Sequence, residues 1–388
     1  MVYVLVSIVR AGPVDLFGNL SVSNNYIVDK NKTKVQLRGM SLFWSQHGHR
    51  YWNESVVKWL LDDWKIDIIR APMGVDSAYL DYPDVHKGYV ELVVDAAIKH
   101  GVYVIIDWHS HYAQNNTAKA KTFFGQMADK YGDTPNVIYE IYNEPMNIGW
   151  DQIKTYANAV IAVIRARDPD NLIVVGTPNW SQDVDQAANS PITGTNIVYA
   201  FHFYAASHSG LYDKAKNAAA KIPIMVTEWG TCEYTGSGRF DANESNRWLG
   251  MMKDNKISWC NWSIMYKNET SAALLAGTSS LGGWTTSQLS ESGNFVRNHL
   301  RANTLAEIPA SPVQKSAMYV RDCGGEIHIL LHEGHGAGLP KLFNLQGRNI
   351  IPAALVEPGH FSVRKEALGM GIWIIRAGDE SSKLIINE

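Results

Sequence analysis

Cysteine is scarce: 388 residues hold only three, Cys232, Cys260 and Cys323. They are too few and too scattered for a disulfide framework, and none has the close spacing of a zinc site. Charge of one sign is lacking as well. The 35 Lys and Arg stand against 38 Asp and Glu, for a net charge of −3 with no basic run. Binding a phosphate backbone needs a concentrated cationic excess, so this balance argues against nucleic acid as a partner. Long apolar runs are also missing. The N-terminal stretch Val2 to Val9, broken by Ser7, is too short to span a membrane and lacks the basic start of a complete signal peptide. Residues 1–17 are read as a remnant or atypical form of an export signal, with an N-terminal strand as the alternative. Low-complexity tracts are absent, and a hydrophobic content of 46% excludes disorder and supports a sizeable core. What the chain has in excess is aromatic: 13 Trp, 18 Tyr and 10 Phe. Indole rings fill cores, and their flat faces also stack on sugar rings.

From Val35 to Asn303 short apolar runs alternate with longer amphipathic segments, the pattern of βα units and a parallel sheet. The strand candidates are Gln36 to Trp44, Ile66 to Met73, Val102 to His109, Val137 to Pro145, Leu172 to Trp180, Ile197 to Ala205, Ile224 to Gly230 and Ser258 to Tyr266. Helix candidates lie between them, and Val85 to His100 is the most regular, with Val85, Tyr89, Leu92, Val93 and Ala96 on one stripe. The link from Ser181 to Thr195 is the least clearly helical. The pattern predicts an α/β fold, a (β/α)8 TIM barrel over residues 18–303, close to the typical size of about 250 residues. Residues 304–316, with Pro309 and Pro312, have linker composition, and the short β-type runs of 317–388 predict a small C-terminal all-β domain.

In such a barrel, chemistry gathers at the C-terminal ends of the strands. The polar residues there are Arg70, Asp107, His109, His111, Asn143, Glu144, His202, Tyr204, Glu228 and Trp262. Period-two alternation places Ile66, Ile68 and Arg70 on one face, and Ile224, Val226 and Glu228 on one face. Two carboxylates across a barrel mouth suit glycosidic bond cleavage, which needs one acid to protonate the leaving oxygen and one carboxylate to attack the anomeric carbon. Spacing alone leaves open that each is a salt-bridged barrel residue. His109 and His111 in DWHSH also have a spacing at which two histidines on a strand can share a metal, the mark of a metal-dependent barrel hydrolase.

The segments VIYEIYNEP from Val137 and IMVTEWG from Ile224 resemble the two catalytic signatures of glycoside hydrolase family 5, the retaining endoglucanase (cellulase) family. LRGMSLFWS from Leu37, IIRAPMG from Ile68, VIIDWH from Val104, WSQDVDQAA from Trp180, YAFHFYA from Tyr199 and WCNWSIMYKNETSAAL from Trp259 extend the resemblance, in the expected order, from about Gly18 to Ala302. It implies Glu144 as general acid/base and Glu228 as nucleophile. Glu144 must then carry a proton at working pH, while Glu228 must stay ionised, which a nearby Arg70 would favour. The resemblance further implies that Asn143 bonds the sugar 2-hydroxyl, that His202 and Tyr204 position the carboxylates, and that His109 bonds substrate. Trp262 becomes a sugar platform, Trp44 and Trp180 line further subsites, and Lys267 and Glu269 hold sugars on the non-reducing side. Trp59, Trp64, Trp108 and Trp248 read as core, Trp229 is ambiguous, and Cys260 reads as a buried inward thiol. His47 departs from the aromatic residue, often Trp, expected after SLFWSQ, which weakens or shifts a distal subsite.

The resemblance implies a secreted monomer that hydrolyses internal bonds of cellulose and related β-1,4-glucans without metal or cofactor, and without a membrane span. Mannan, xyloglucan or xylan are the alternative polymers, and a non-catalytic sugar-binding protein is the alternative outside catalysis. In the C-terminal region, LFNLQGRNI from Leu342 and GMGIWIIRAGDESSKLIIN from Gly369 resemble the sorting domains of the type IX secretion system; a carbohydrate-binding module and an Ig-like spacer compete with that reading.

Overall fold

The computed structural model describes residues 12–302 without interruption and, beyond them, the strands between Met318 and Ile386. The run Val2 to Val9, the segment 304–316 and Cys323 lie outside the described residues. The chain divides into two compact units, one with the barrel and one with the C-terminal strands.

Eight parallel strands close the barrel: β1 (Arg38–Leu42), β2 (Ile68–Gly74), β3 (Tyr103–His109), β4 (Val137–Glu140), β5 (Ile173–Val175), β6 (Ile197–Tyr204), β7 (Ile224–Gly230) and β8 (Ser258–Ile264), with β8 pairing back onto β1. Alternation divides their side chains between two cores. Ile105, Ile138, Val174, Val198, Ala200, Met225 and Cys260 point inward and fill the barrel, so it is a packed core and not a pore. Their neighbours Tyr139, Ile173, Val175 and Tyr199 point outward and pack with the helices, together with Trp64, Trp108, Trp229 and Trp248. Trp229 is thereby assigned to the core, fully buried against Phe203. A hairpin, Ser21–Ser23 with Tyr26–Val28, lays Leu20 and Ile27 against the inward cluster at the starts of the strands, and Tyr103 donates to the Gly18 carbonyl there at 2.6 Å. The opposite end is left for the site.

Four expectations are corrected. In the helix Pro83–His100 the buried residues are His86, Val90, Val93, Val94, Ala96 and Ala97, whereas Val85 and Leu92 are 50% and 55% exposed. The buried stripe therefore runs through 86, 90, 93 and 97, and the two exposed side chains lie roughly 110–130° around the helix from its centre. Second, β4 ends at Glu140, so Asn143 and Glu144 stand on the loop beyond the strand. Third, Ile224 and Val226 do not share a face with Glu228. They belong to the outer core, and Met225 points inward. The register of β7 slips by one residue against both neighbours: Met225 to Glu228 spans the same rungs as Ala200 to His202, and Val226 to Trp229 the same rungs as Trp259 to Asn261. This β-bulge re-aims the strand, so that Thr227 and Glu228 both face the interior. Ile66 likewise packs in the outer core, because it precedes β2 and does not belong to its alternation.

The Ser181 to Thr195 link holds the short helix Val184–Asn189, preceded by a turn over Pro178–Ser181. Among the described residues of the C-terminal region, all lie in β-strands. One four-stranded antiparallel sheet runs Met318–Asp322, Glu326–Leu331, His360–Arg364, Ala354–Glu357, and the other Asn349–Ile350, Lys341–Asn344, Gly371–Ala377, Glu380–Ile386. Among the described residues, no helix is long and apolar enough to cross a membrane.

Candidate active site

Arg70 organises the barrel mouth. Its fully buried guanidinium donates to Glu140 through Nε (2.7 Å), to Glu228 Oε2 through Nη1 (2.8 Å) and to Asn143 Oδ1 through Nη2 (2.6 Å), and Nη2 also lies 2.9 Å from Asp107 Oδ2. Burial opposes its charge, but Asp107, Glu140 and Glu228 more than compensate and hold it firmly protonated. An arginine is suited to this place because its planar fork of donors serves several acceptors at once. Because Asn143 accepts from Arg70, its amide NH2 is left to donate.

Glu228 accepts from Arg70 on one oxygen and from the Tyr204 hydroxyl on the other, at 2.9 Å. Burial and the facing Glu144 carboxylate push Glu228 above the ordinary carboxylate range, against the pull of Arg70 and His202. Arg70 is therefore present as expected but does not by itself set the protonation of Glu228.

Glu144 extends from the loop after β4, where its N–H donates to the Ser110 carbonyl at 3.4 Å. His202 Nδ1 lies 3.0 Å from Glu144 Oε1, and His202 Nε2 lies 2.8 Å from the Thr227 hydroxyl, which donates to Glu140 at 2.5 Å. Burial works against a charged imidazole, yet the bonds to Glu140 and Glu144 raise His202 to about 9. Glu144, His202 and Glu228 each offer one atom within 4.8 Å of the others. That geometry alone would permit an ion. Arg70 and a cationic His202, however, already neutralise these carboxylates. His109 and His111 do not converge as a metal pair: His109 Nδ1 bonds Asp107 Oδ2 at 2.6 Å, and His111 Nδ1 faces the Glu144 carbonyl at 3.2 Å. Burial, then Arg70, pushes His109 far below the usual imidazole range, so its ring is neutral.

Two cavities meet at the carboxylates. One, of about 340 Å³, is lined by Trp44, His47, His109, Asn143, Trp262, Lys267 and Glu269 among others. The second, of about 430 Å³, is lined by Asn179, Trp180, Gln182, His202 and His208. Glu144, Tyr204, Glu228 and Tyr234 border both. In the first, the Trp262 ring lies parallel to His109 at 5.5 Å and Trp44 meets His109 edge-on at 4.6 Å, while Lys267 pairs with Glu269 at 2.6 Å. In the second, Trp180 is 40% exposed on a turn in which Asn179, Trp180 and Ser181 all have φ near +57°. Left-handed backbone at three non-glycine residues persists only where the surroundings impose it. The Trp180 N–H donates to the Pro145 carbonyl at 3.1 Å and the Ser181 hydroxyl to the Asn143 carbonyl at 2.7 Å, which ties the turn to the Glu144 loop.

Arg70, His109, Asn143, Glu144, His202, Tyr204, Glu228, Trp262, Trp44, Trp180, Lys267 and Glu269 thus all lie at this mouth. Glu140, Thr227, Tyr234 and His208 were missed. Glu140 shared the parity of inward Ile138 and could have been found; Thr227 could not, because the bulge that turns it inward leaves no sequence signal.

A (β/α)8 barrel with two carboxylates a few ångströms apart between aromatic-lined cavities defines a glycoside hydrolase. Residues 28–268 match the model of the cellulase family, glycosyl hydrolase family 5. Endoglucanase Z of Dickeya dadantii is 46% identical over 73% of this chain and 66% of its own length, so the chain spans about two thirds of that relative. A solved structure from Cytophaga hutchinsonii is 49% identical with a TM-score of 0.75, covering 76% of this chain and 97% of that one. The catalytic domain of a Thermobifida fusca endoglucanase, solved in complex with cellotetraose, is 37% identical with a TM-score of 0.73, covering 75% of this chain and 100% of that one. The chain belongs to glycosyl hydrolase family 5, the cellulases.

Proposed function

We propose that the protein is a retaining endo-β-1,4-glucanase acting on cellulose and related β-glucans. The observation that carries this reading is the approach of Glu144 and Glu228, whose oxygens lie within 4.8 Å where two cavities meet. Retaining enzymes hold their carboxyl groups about 5–5.5 Å apart, and inverting ones about 6.5–9.5 Å, to admit a water. Glu228 attacks the anomeric carbon, and Glu144 protonates the departing glycosidic oxygen; the C–O bond breaks with its electrons on that oxygen. Water, deprotonated by Glu144, then cleaves the glycosyl–Glu228 ester. Arg70 and Tyr204 aim Glu228, His202 aims Glu144, and the Asn143 amide donates to the 2-hydroxyl of the reacting sugar. Trp262 and Trp44 carry sugars on one side with His109, Lys267 and Glu269, and Trp180 carries them on the other. Space on both sides of the carboxylates lets a chain pass through, which supports cleavage of internal bonds. The cellotetraose bound by the Thermobifida fusca relative supports a β-1,4-glucan as substrate.

Glu228→Ala should abolish turnover of carboxymethylcellulose and recover partial activity on an activated aryl cellobioside in azide, with a glycosyl azide of inverted configuration as product. Absence of rescue with full turnover retained would remove Glu228 from the nucleophile role. The enzyme works outside the cell as a monomer, and its C-terminal β unit acts in export; the resemblance of that region to sorting domains supports this. Residues 317–388 fused to a reporter should carry it into the medium of a host with type IX secretion, and a reporter retained in the cell would contradict the assignment.

A further inference from the structure

Thr227 and Glu140 are fully buried behind the reacting carboxylates. The Thr227 hydroxyl lies between Glu140 Oε1 at 2.5 Å and His202 Nε2 at 2.8 Å. A hydroxyl has one proton to give. Both Glu140 oxygens face Arg70, at 2.7 and 3.3 Å, so this carboxylate only accepts. Burial opposes its charge, yet Arg70 and His202 hold it below the ordinary range. The hydroxyl proton therefore points at Glu140, and Thr227 must accept from the imidazole. His202 Nε2 carries a proton whether the ring is neutral or charged.

We infer that Glu140 and Thr227 form a tautomer lock on His202, leaving Nδ1, 3.0 Å from Glu144 Oε1, as the only ring nitrogen that exchanges a proton with the acid carboxyl. Both are positioning residues that act through His202. The lock rests on the assignment of Glu144 as the general acid. A neutral His202 has a bare Nδ1 that accepts from the Glu144 hydroxyl, and an imidazolium donates from Nδ1 to the Glu144 carboxylate. The same proton lies on the axis in both states, and it is the one that the leaving oxygen receives. The opposite tautomer would set a bare Nε2 against the Thr227 oxygen, two acceptors facing each other at 2.8 Å. The groups facing the ring come from several elements: Glu140 of β4, Glu144 of the loop after it, Thr227 and Glu228 of β7, with Arg70 of β2 linking Glu140 to Glu228. The β7 bulge makes the arrangement possible by turning two successive residues inward, one to the ring and one to the sugar.

The test compares Thr227→Val with Thr227→Ser on aryl cellobiosides of poor and good leaving groups, since only the poor one needs a proton. Thr227→Val should lower kcat on the poor substrate about tenfold, the cost of losing one bond to a charged group. KM should stay within about twofold, and the alkaline limb of the kcat profile should move about one pH unit toward acid, because the protonated pair loses a supporting acceptor. The good substrate should be nearly unaffected, and Thr227→Ser should restore all three readouts. A wild-type alkaline limb in Thr227→Val, or a Thr227→Ser as impaired as Thr227→Val, overturns the lock. Nitrogen NMR of the wild-type His202 ring decides independently of any variant's folding. Nε2 should stay protonated on both sides of the ring's titration, and an Nε2 that loses its proton while Nδ1 keeps one overturns the inference. Glu144→Ala separates the two levels: equal activity on poor and good leaving groups would defeat the acid assignment itself, whereas the NMR result bears on the lock alone.

Discussion

At the scale of single residues, the site is a problem of crowded negative charge solved by one guanidinium. Asp107, Glu140 and Glu228 all contact Arg70 in a region with almost no exposed surface, and Glu144 is nearby. Removing one partner of a buried ion pair costs about 3–5 kcal/mol, because the charge left behind stays desolvated. Arg70→Leu should lower the unfolding free energy by about that amount, or prevent folding, as read from the urea midpoint at constant slope; an unchanged midpoint would mean the carboxylates are neutral. The pH profile follows from Glu228. Burial and Glu144 raise its pKa, so the ionised form that the proposed nucleophile role needs is present above that raised value and lost as pH falls through it. The acid limb of kcat/KM should accordingly lie above the ordinary Glu value of about 4.3, and a limb below that value would show that Arg70 outweighs burial.

At the scale of elements, close approach and irregularity place the side chains. Gly230 ends β7 beside Tyr204: a Cβ there would meet the Tyr204 ring at 2.3 Å. Gly230→Ala should swing the phenol away from Glu228 and lower kcat by about tenfold or more, the price of one hydrogen bond to a charged group, with KM little changed; a wild-type kcat would show that Tyr204 is dispensable. The same scale explains what was legible in the sequence. The eight strands could be read because each is a short apolar run followed by a helix, and Arg70 could be placed because β2 alternates regularly from Ile68. Alternation failed in β7, where the bulge reverses parity between Val226 and Glu228, and it could not show that β4 stops at Glu140. Val85 and Leu92 were misplaced because exposed apolar residues at helical spacing look the same in sequence as buried ones. The roles of Glu144, Glu228 and the indoles came from resemblance to a family, since spacing alone left a structural salt bridge as good an account.

At the scale of the whole molecule, the barrel's two cores leave one end closed by the hairpin and the other open as a two-sided cleft. Trp180 lines the cavity on one side and Trp44 with Trp262 that on the other, the share of the aromatic excess that the proposed function uses, while Trp64, Trp108, Trp229 and Trp248 serve the core. A cleft open at both ends should cut a polymer at random, so the viscosity of carboxymethylcellulose should fall well before reducing ends accumulate; a proportional fall would indicate attack from chain ends. Trp180→Ala should raise KM for long oligosaccharides more than for aryl cellobiosides, which place only an aryl group and no sugar on that side, and an equal effect on both would place the indole outside the sugar path.

The central claim is that Glu144 and Glu228 stand at retaining distance across the scissile bond. Proton NMR of cellopentaose hydrolysis, recorded before mutarotation, tests it most directly: the new reducing ends should appear first as the β-anomer, and first appearance of the α-anomer would contradict the mechanism.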